Sequence, residues 1–79
     1  MQSIPRVFGQ ALRRLRNARG FSQERLAELT GLSTNYIGEM ERGLKAPGLP
    51  VIVSLASALD VSVQELLADF DELPSRVRR

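Results

Sequence analysis

The 79-residue chain is predicted to be all-α: a compact five-helix bundle in one small domain. Three observations predict it. Apolar residues recur at three- and four-residue spacing in five segments, and no stretch shows the period-two alternation of a strand. Serine or glycine stands where most of these segments begin or end, in the positions that cap helices. The connections between segments are only a few residues long. A composition of 43% hydrophobic and 25% charged residues is that of a globular chain.

The first helix is expected from about Pro5 to Arg19. Proline suits a first turn, where its missing amide costs nothing. Val7, Phe8, Ala11, Leu12 and Leu15 trace one face, Gly20 ends the helix, and Phe21 turns into the core. Ser22 caps helix two, whose apolar positions are Leu26, Ala27 and Leu29. Gly31 fits a left-handed C-terminal position, and only Leu32 separates it from Ser33, the cap of helix three. Helix three carries Ile37 and Met40 inward and ends at Gly43. A loop punctuated by Pro47 and Gly48 leads to helix four, Leu49 to Leu59. Asp60 and Val61 form a short joint. Ser62 caps helix five, with Glu65 three residues on completing a capping box. Helix five is expected from Val63 to Ala68 or Phe70. The domain is thus placed at residues 1–70, with 71–79 a disordered tail after Asp71 and Pro74.

Two short helices joined by a glycine-containing turn form a helix-turn-helix, here helices two and three. In this motif the second helix can enter the major groove of DNA, with its N-terminal half against base edges. That half offers Thr34, Asn35, Tyr36 and Glu39 as base-reading residues. Asparagine can pair with adenine through two bonds, glutamate can accept from the cytosine amino group, and threonine can touch a thymine methyl. Gly38 is costly in mid-helix by about 1 kcal/mol relative to alanine, which fits a helix backbone that approaches DNA closely.

Contacts to phosphate need cations, side-chain donors or free amides at helix starts. Gln23 stands at the start of helix two. Arg42 and Lys45 follow helix three, and Arg13 or Arg14 can reach a further phosphate from helix one. Charge is placed to match. Residues 1–45 hold eight Arg/Lys against four acids, whereas residues 46–75 hold five acids and no base. A basic pole opposite an acidic one is the footprint of a face for polyanions.

The same residues exclude other classes. Without Cys there is no disulfide or thiolate site, and without His the commonest general base is missing. No phosphate-binding loop or paired-acid constellation appears, so no enzyme, cofactor or metal site is expected. The start has no apolar signal-peptide region, and the apolar stretch from Leu49 to Leu59 is too short to span a membrane. A cytoplasmic protein with no membrane partner is expected.

Two further features concern the scaffold. Arg16 adjoins Leu12 and Leu15, and Glu41 follows Met40, so both lie near apolar faces. They are expected to form a structural ion pair between helix one and the end of helix three. Helix four is apolar nearly all round, with Ser54 and Ser57 its only polar residues after the first turn. A chain this small cannot cover such a helix fully, which points to an isologous homodimer. Its interface is placed at Val51, Val53, Val61, Val63, Gln64 and Leu67.

These residues carry a family likeness. Phe21 to Ala27, Gly31-Leu32-Ser33, Tyr36-Ile37 and Met40-Glu41-Arg42-Gly43 resemble the Xre/Cro-repressor, or lambda-repressor-like, helix-turn-helix domains. Pro47, Leu55-Ala56, Ala58-Leu59 and Val61-Ser62 resemble that family's fourth helix and its junction to the fifth. The likeness covers about residues 6–70. It implies a five-helix DNA-binding domain acting on transcription. It places Gln23 as the phosphate-clamping glutamine, Thr34, Asn35 and Glu39 at base-reading positions, and Arg16 and Glu41 at an internal ion pair. A domain of this length with Asn35-Tyr36-Ile37 and Glu41-Arg42-Gly43 is most similar to the small controller proteins of restriction-modification systems. Short phage repressors come next. Gly38 departs from the pattern, since many members present a side chain there, and so does Pro50 in an apolar first turn.

The function implied is a homodimeric, sequence-specific regulator that binds double-stranded DNA at a (pseudo)palindromic operator. It would repress by blocking polymerase or activate by contacting RNA polymerase. The alternatives are a phage-type repressor, an antitoxin whose apolar helix four holds a toxin, and a protein-interaction module on the same scaffold that binds no DNA.

Overall fold

The computed structural model describes residues 3–72. They form α1 (Ile4–Ala18), α2 (Gln23–Thr30), α3 (Thr34–Glu41), α4 (Leu49–Leu59) and α5 (Val63–Leu66), followed by a 3₁₀ turn (Ala68–Glu72). There is no strand among the described residues.

Serine begins four of the five helices. The hydroxyls of Ser3, Ser22, Ser33 and Ser62 accept from the amides of Arg6, Arg25, Tyr36 and Glu65 at 3.3, 2.9, 3.0 and 2.9 Å. Each satisfies one of the amides that a helix start leaves unpaired. Three helices end in paired backbone bonds that swing the chain away from the helix axis. At the end of α3, Gly43 N donates to Met40 O and Leu44 N to Glu39 O, with Gly43 at φ 76°. Gly20 and Phe21 close α1 in the same way.

The third such end belongs to α4 and uses no glycine. Asp60 N donates to Ser57 O and Val61 N to Ala56 O, with Asp60 in the left-handed region at φ 58°. An L-residue with a Cβ is strained there, aspartate less than most. Its carboxylate is 3.8 Å from Arg19 and largely exposed, a pair that adds little. Asp60→Gly is therefore expected to stabilise the domain by up to about 1 kcal/mol. Thermal unfolding checks this: a lower melting temperature would contradict it.

The core lies where α1, α2, α3, α4 and α5 converge. Phe8, Leu12, Leu26, Ile37, Met40, Leu55, Leu59 and Leu66 are buried in it. Around α4, Leu55, Ala56 and Leu59 face the core, while Leu49 is 65% and Val53 49% exposed. The apolar circumference of α4 is thus only partly covered by its own chain.

Two boundaries differ from expectation. The α-helix of α5 stops at Leu66, not at Ala68 or Phe70, and the chain tightens into 3₁₀ winding, with Phe70 N donating to Leu67 O at 3.0 Å. Two tertiary contacts accompany the change. Asp69 is drawn to Arg14 of α1 at 2.9 Å, and Phe70 packs against the core. The turn also runs on through Asp71 and Glu72, past the domain end expected at residue 70. Residues 73–79, the rest of the expected tail, lie outside the described residues.

Candidate nucleic-acid interface

The turn between α2 and α3 is held by its own residues. Gly31 takes φ 76° and its amide donates to Ala27 O. Thr30 Oγ1 donates to Leu26 O at 2.8 Å and accepts from Leu32 N at 3.2 Å, which satisfies an amide of the turn. Ser33 then starts α3.

The orientation of α3 is set by two contacts with α1. The first is a close backbone approach. A Cβ built on Gly9 would lie 2.8 Å from Glu41 O and closer still to Met40 O, so only glycine lets the two helices meet there. The second is a buried ionic cluster. Arg16 Nε and Nη2 donate to the two carboxylate oxygens of Glu41 at 2.6 and 3.1 Å. Arg16 Nη1 donates to Phe21 O at 2.7 Å, and Gln23 Nε2 donates to Glu41 Oε1 at 3.0 Å. Arg16 and Glu41 are each only 8% exposed. The bonds to Glu41 raise the Arg16 pKa above its ordinary value, against the opposing effect of burial, so the guanidinium stays charged. Among the described residues no buried side-chain polar atom is left without a partner. One cluster therefore ties α1, the loop at Phe21, the start of α2 and the end of α3.

With α3 fixed, its faces can be sorted. Ile37, Met40 and Glu41 are buried; Asn35 is exposed, and Thr34 and Glu39 are half-buried. Tyr36 is also half-buried and packs against the core, so its ring is not free on the outward face as Asn35 is. Glu39 lies 3.8 Å from Lys45, pairing a residue assigned to bases with one assigned to phosphate. Gly38 is buried although it lies on the line of Thr34 and Arg42, one helical turn from each. The Arg42 guanidinium and the Gln23 carboxamide cover it, at 3.3 and 3.8 Å from where a Cβ would stand. The glycine thus makes room for two side chains, and does not leave bare backbone for close approach to DNA.

The cations sort by position too. Arg13 is exposed and one turn from both Gly9 and Arg16, on the side of α1 that meets α3. Arg14 points elsewhere: it pairs with Asp69 at 2.9 Å, on the side of the 3₁₀ turn. The structure therefore separates these two arginines, and only Arg13 stands with α3. Arg6 joins the group unexpectedly. Its Cα is 3.0 Å from the position of a Cβ on Gly43, which sets an exposed arginine beside the Arg42–Lys45 segment. No sequence spacing signals this, because residues 6 and 43 meet only through the α1–α3 packing. Arg25 pairs with Glu28 on α2 at 2.8 Å.

Elsewhere, Val53 and Gln64 are exposed, while Val51, Val61, Val63 and Leu67 are half-buried against the chain's own core. No described helix is long and apolar enough to cross a membrane. No group of three or more potential metal ligands occurs among the described residues.

Comparison with known proteins places this geometry. The HTH_3 family model, described as helix-turn-helix, matches residues 12–66. The control protein C.SmaI of Serratia marcescens is 41% identical over 64 residues, 81% of this chain and 76% of that protein. The crystal structure of the restriction-modification controller protein C.AhdI from Aeromonas hydrophila superposes with a TM-score of 0.76 at 50% identity, covering 78% of this chain and 94% of that one. SinR, the master regulator for biofilm formation, solved in complex with DNA, superposes with a TM-score of 0.72 at 34% identity, covering 76% of this chain and 97% of that one. The match spans the cluster around Glu41, the turn at Gly31 and the whole of α3, and on it this chain belongs to the HTH_3 helix-turn-helix family.

Proposed function

We propose that this chain is a homodimeric, sequence-specific DNA-binding regulator of transcription, acting on a near-palindromic operator. Its similarity to C.SmaI and C.AhdI supports control of restriction-modification genes as the setting. The observation that carries the proposal is the fixing of α3. The Gly9 contact and the Arg16–Glu41–Gln23 cluster hold that helix against α1 and α2, with Asn35 exposed, Thr34 half-exposed, and Arg6, Arg13 and Lys45 on its flanks. In this reading Gln23 and the flanking cations grip phosphates, and Thr34, Asn35 and Glu39 meet base edges. Tyr36, half-buried like Thr34 and Glu39, packs its ring at the core edge and is a further candidate for base contact, while Arg14 pairs with Asp69 on the side of the 3₁₀ turn.

The dimer rests on α4. Leu49 and Val53 lie one turn apart on an exposed apolar line, which a second copy would bury together with Val51, Val61, Val63, Gln64 and Leu67. Two α3 helices about one DNA turn apart, roughly 34–36 Å, would then read two half-sites. Where the regulator activates, RNA polymerase is the further partner.

Selection of bound duplexes from a random pool tests the reading as a whole. A palindromic product supports it, and no enrichment at low salt refutes it. Sedimentation tests the dimer separately: a monomer at tens of micromolar without DNA contradicts it. Asn35→Ala should leave thermal stability unchanged, since the side chain is exposed. It should cost about 1–3 kcal/mol of discrimination at one base pair of the selected duplex. Fluorescence anisotropy on single base-pair variants measures this; an unaltered preference at every position would remove Asn35 from the reading set.

A further inference from the structure

We infer that Arg42 reads a base pair in the place of the side chain that Gly38 lacks, with guanine as its target. The inference rests on the DNA-binding reading above and deepens it. Residue 38 falls on the line of α3 that runs from Thr34 to Arg42, at the edge of the outward face beside the exposed Asn35. With glycine at that position, α3 offers no side chain of its own between Thr34 and Arg42 on that line. Arg42 stands one turn further on, anchored at the helix end by its amide, which donates to Gly38 O at 3.0 Å. Its guanidinium folds back along the face until Nη1 is 3.3 Å from where a Cβ of residue 38 would stand.

The surroundings favour that placement. The Gln23 carboxamide lines the other side of the gap at 3.8 Å and is itself held by Glu41. Among the described side chains no carboxylate lies within the 4.0 Å of an ion pair with Arg42, whereas Arg14, Arg16, Arg19, Arg25 and Lys45 each have one. Arg42 therefore presents its charged fork on the recognition face instead of on a neighbouring acid. A planar fork with parallel N–H donors matches the O6 and N7 acceptors of guanine in the major groove. Gly38 becomes a device that moves base reading from position 38 to position 42. The flank contact first expected of Arg42 would need the side chain to swing away from this face.

Arginine and lysine separate the two roles. A phosphate contact needs charge, which lysine keeps; a two-bond guanine contact needs the fork, which lysine lacks. Duplexes are selected from a random pool with the wild-type protein. Every base pair of one half-site is then substituted in turn, and affinities are measured by anisotropy at fixed salt for wild type, Arg42→Lys and Arg42→Ala. Thermal melting confirms that both variants fold, as their exposed position leads one to expect. The expected result is a single G·C preference that falls about 10-fold or more in both variants while the other preferences persist. If Arg42→Lys keeps every preference and Arg42→Ala weakens all duplexes equally, Arg42 is a phosphate contact and the inference is wrong. If the wild-type protein enriches no duplex, DNA binding itself fails and the inference falls with it. The two failures are distinguished by the behaviour of the wild type alone.

Discussion

Replacing Glu41 by alanine is expected to cost about 3–5 kcal/mol, a large share of the roughly 5–15 kcal/mol that holds a small domain folded. Alanine removes the acceptor of three donors at once: Arg16 Nε, Arg16 Nη2 and Gln23 Nε2. Arg16 then keeps only Phe21 O as partner for a guanidinium on a side chain that is 10% exposed. An unpaired buried cation is more costly than a buried pair, since burial itself is unfavourable to the charge. The melting temperature should fall by roughly 15 °C or more. Glu41→Gln is expected to fall between the two, because the amide accepts one arginine bond but carries no charge. An apolar double replacement, Arg16→Met with Glu41→Leu, should recover much of the loss, because no lone charge then remains buried. Urea unfolding of the three variants measures all of this. A loss under about 1 kcal/mol for Glu41→Ala would mean that the cluster does not hold α3.

Gly9→Ala should be the second severe change, although it adds only a methyl group. On an exposed helical face that substitution stabilises by about 1 kcal/mol. Here the new Cβ would meet three backbone atoms of α3, with Glu41 C at 3.0 Å, Glu41 O at 2.8 Å and Met40 O nearer. Backbone cannot rotate aside as a flexible side chain can. The helices must part, which separates Phe8 and Leu12 from Met40 and Ile37 in the core. A net loss of about 2 kcal/mol or more is expected from this overpacking. Because α3 shifts with its C-terminal end, affinity for DNA should also fall in the fraction that stays folded. Chemical denaturation gives the first quantity. A gain in stability would contradict the close approach of α1 and α3.

Much of the fold was legible because helix ends are local chemistry. Ser22, Ser33 and Ser62 cap where their sequence positions say, and Gly31 and Gly43 take left-handed conformations at the ends expected of them. Helix four keeps both of its expected ends. What escaped was tertiary. Gly9 sits inside a regular helical pattern, and nothing near it in sequence signals that α3 lies against it. Asp60 read as a joint, yet it takes the conformation that glycine takes at the other ends. The early stop of α5 coincides with a contact between Arg14 and Asp69, 55 residues apart.

The candidate site divides the same way. Arg16 and Glu41 were paired from their apolar neighbours, and the two do meet. Arg13 and Arg14 point about 100° apart on any helix, and only the packing of α1 decides which of the two stands beside α3. Arg6 gave no signal at all, since its nearness to Gly43 depends on the whole arrangement. Gly38 was noticed as a cost inside a helix. The use made of the space it leaves depends on where Arg42 and Gln23 reach.

The central claim is that α3 and its basic flanks bind DNA, and the salt dependence of binding tests it most directly. Arg6, Arg13 and Lys45 of each protomer would give a dimer six cations at phosphates. The slope of log Kobs against log salt is then expected to be about −5 on a selected duplex. Mixed-sequence DNA should bind more weakly and with a similar dependence on salt. If the selected duplex fails to shift at low salt, or binds with an affinity that salt leaves unchanged, α3 is not a DNA-reading helix in this protein.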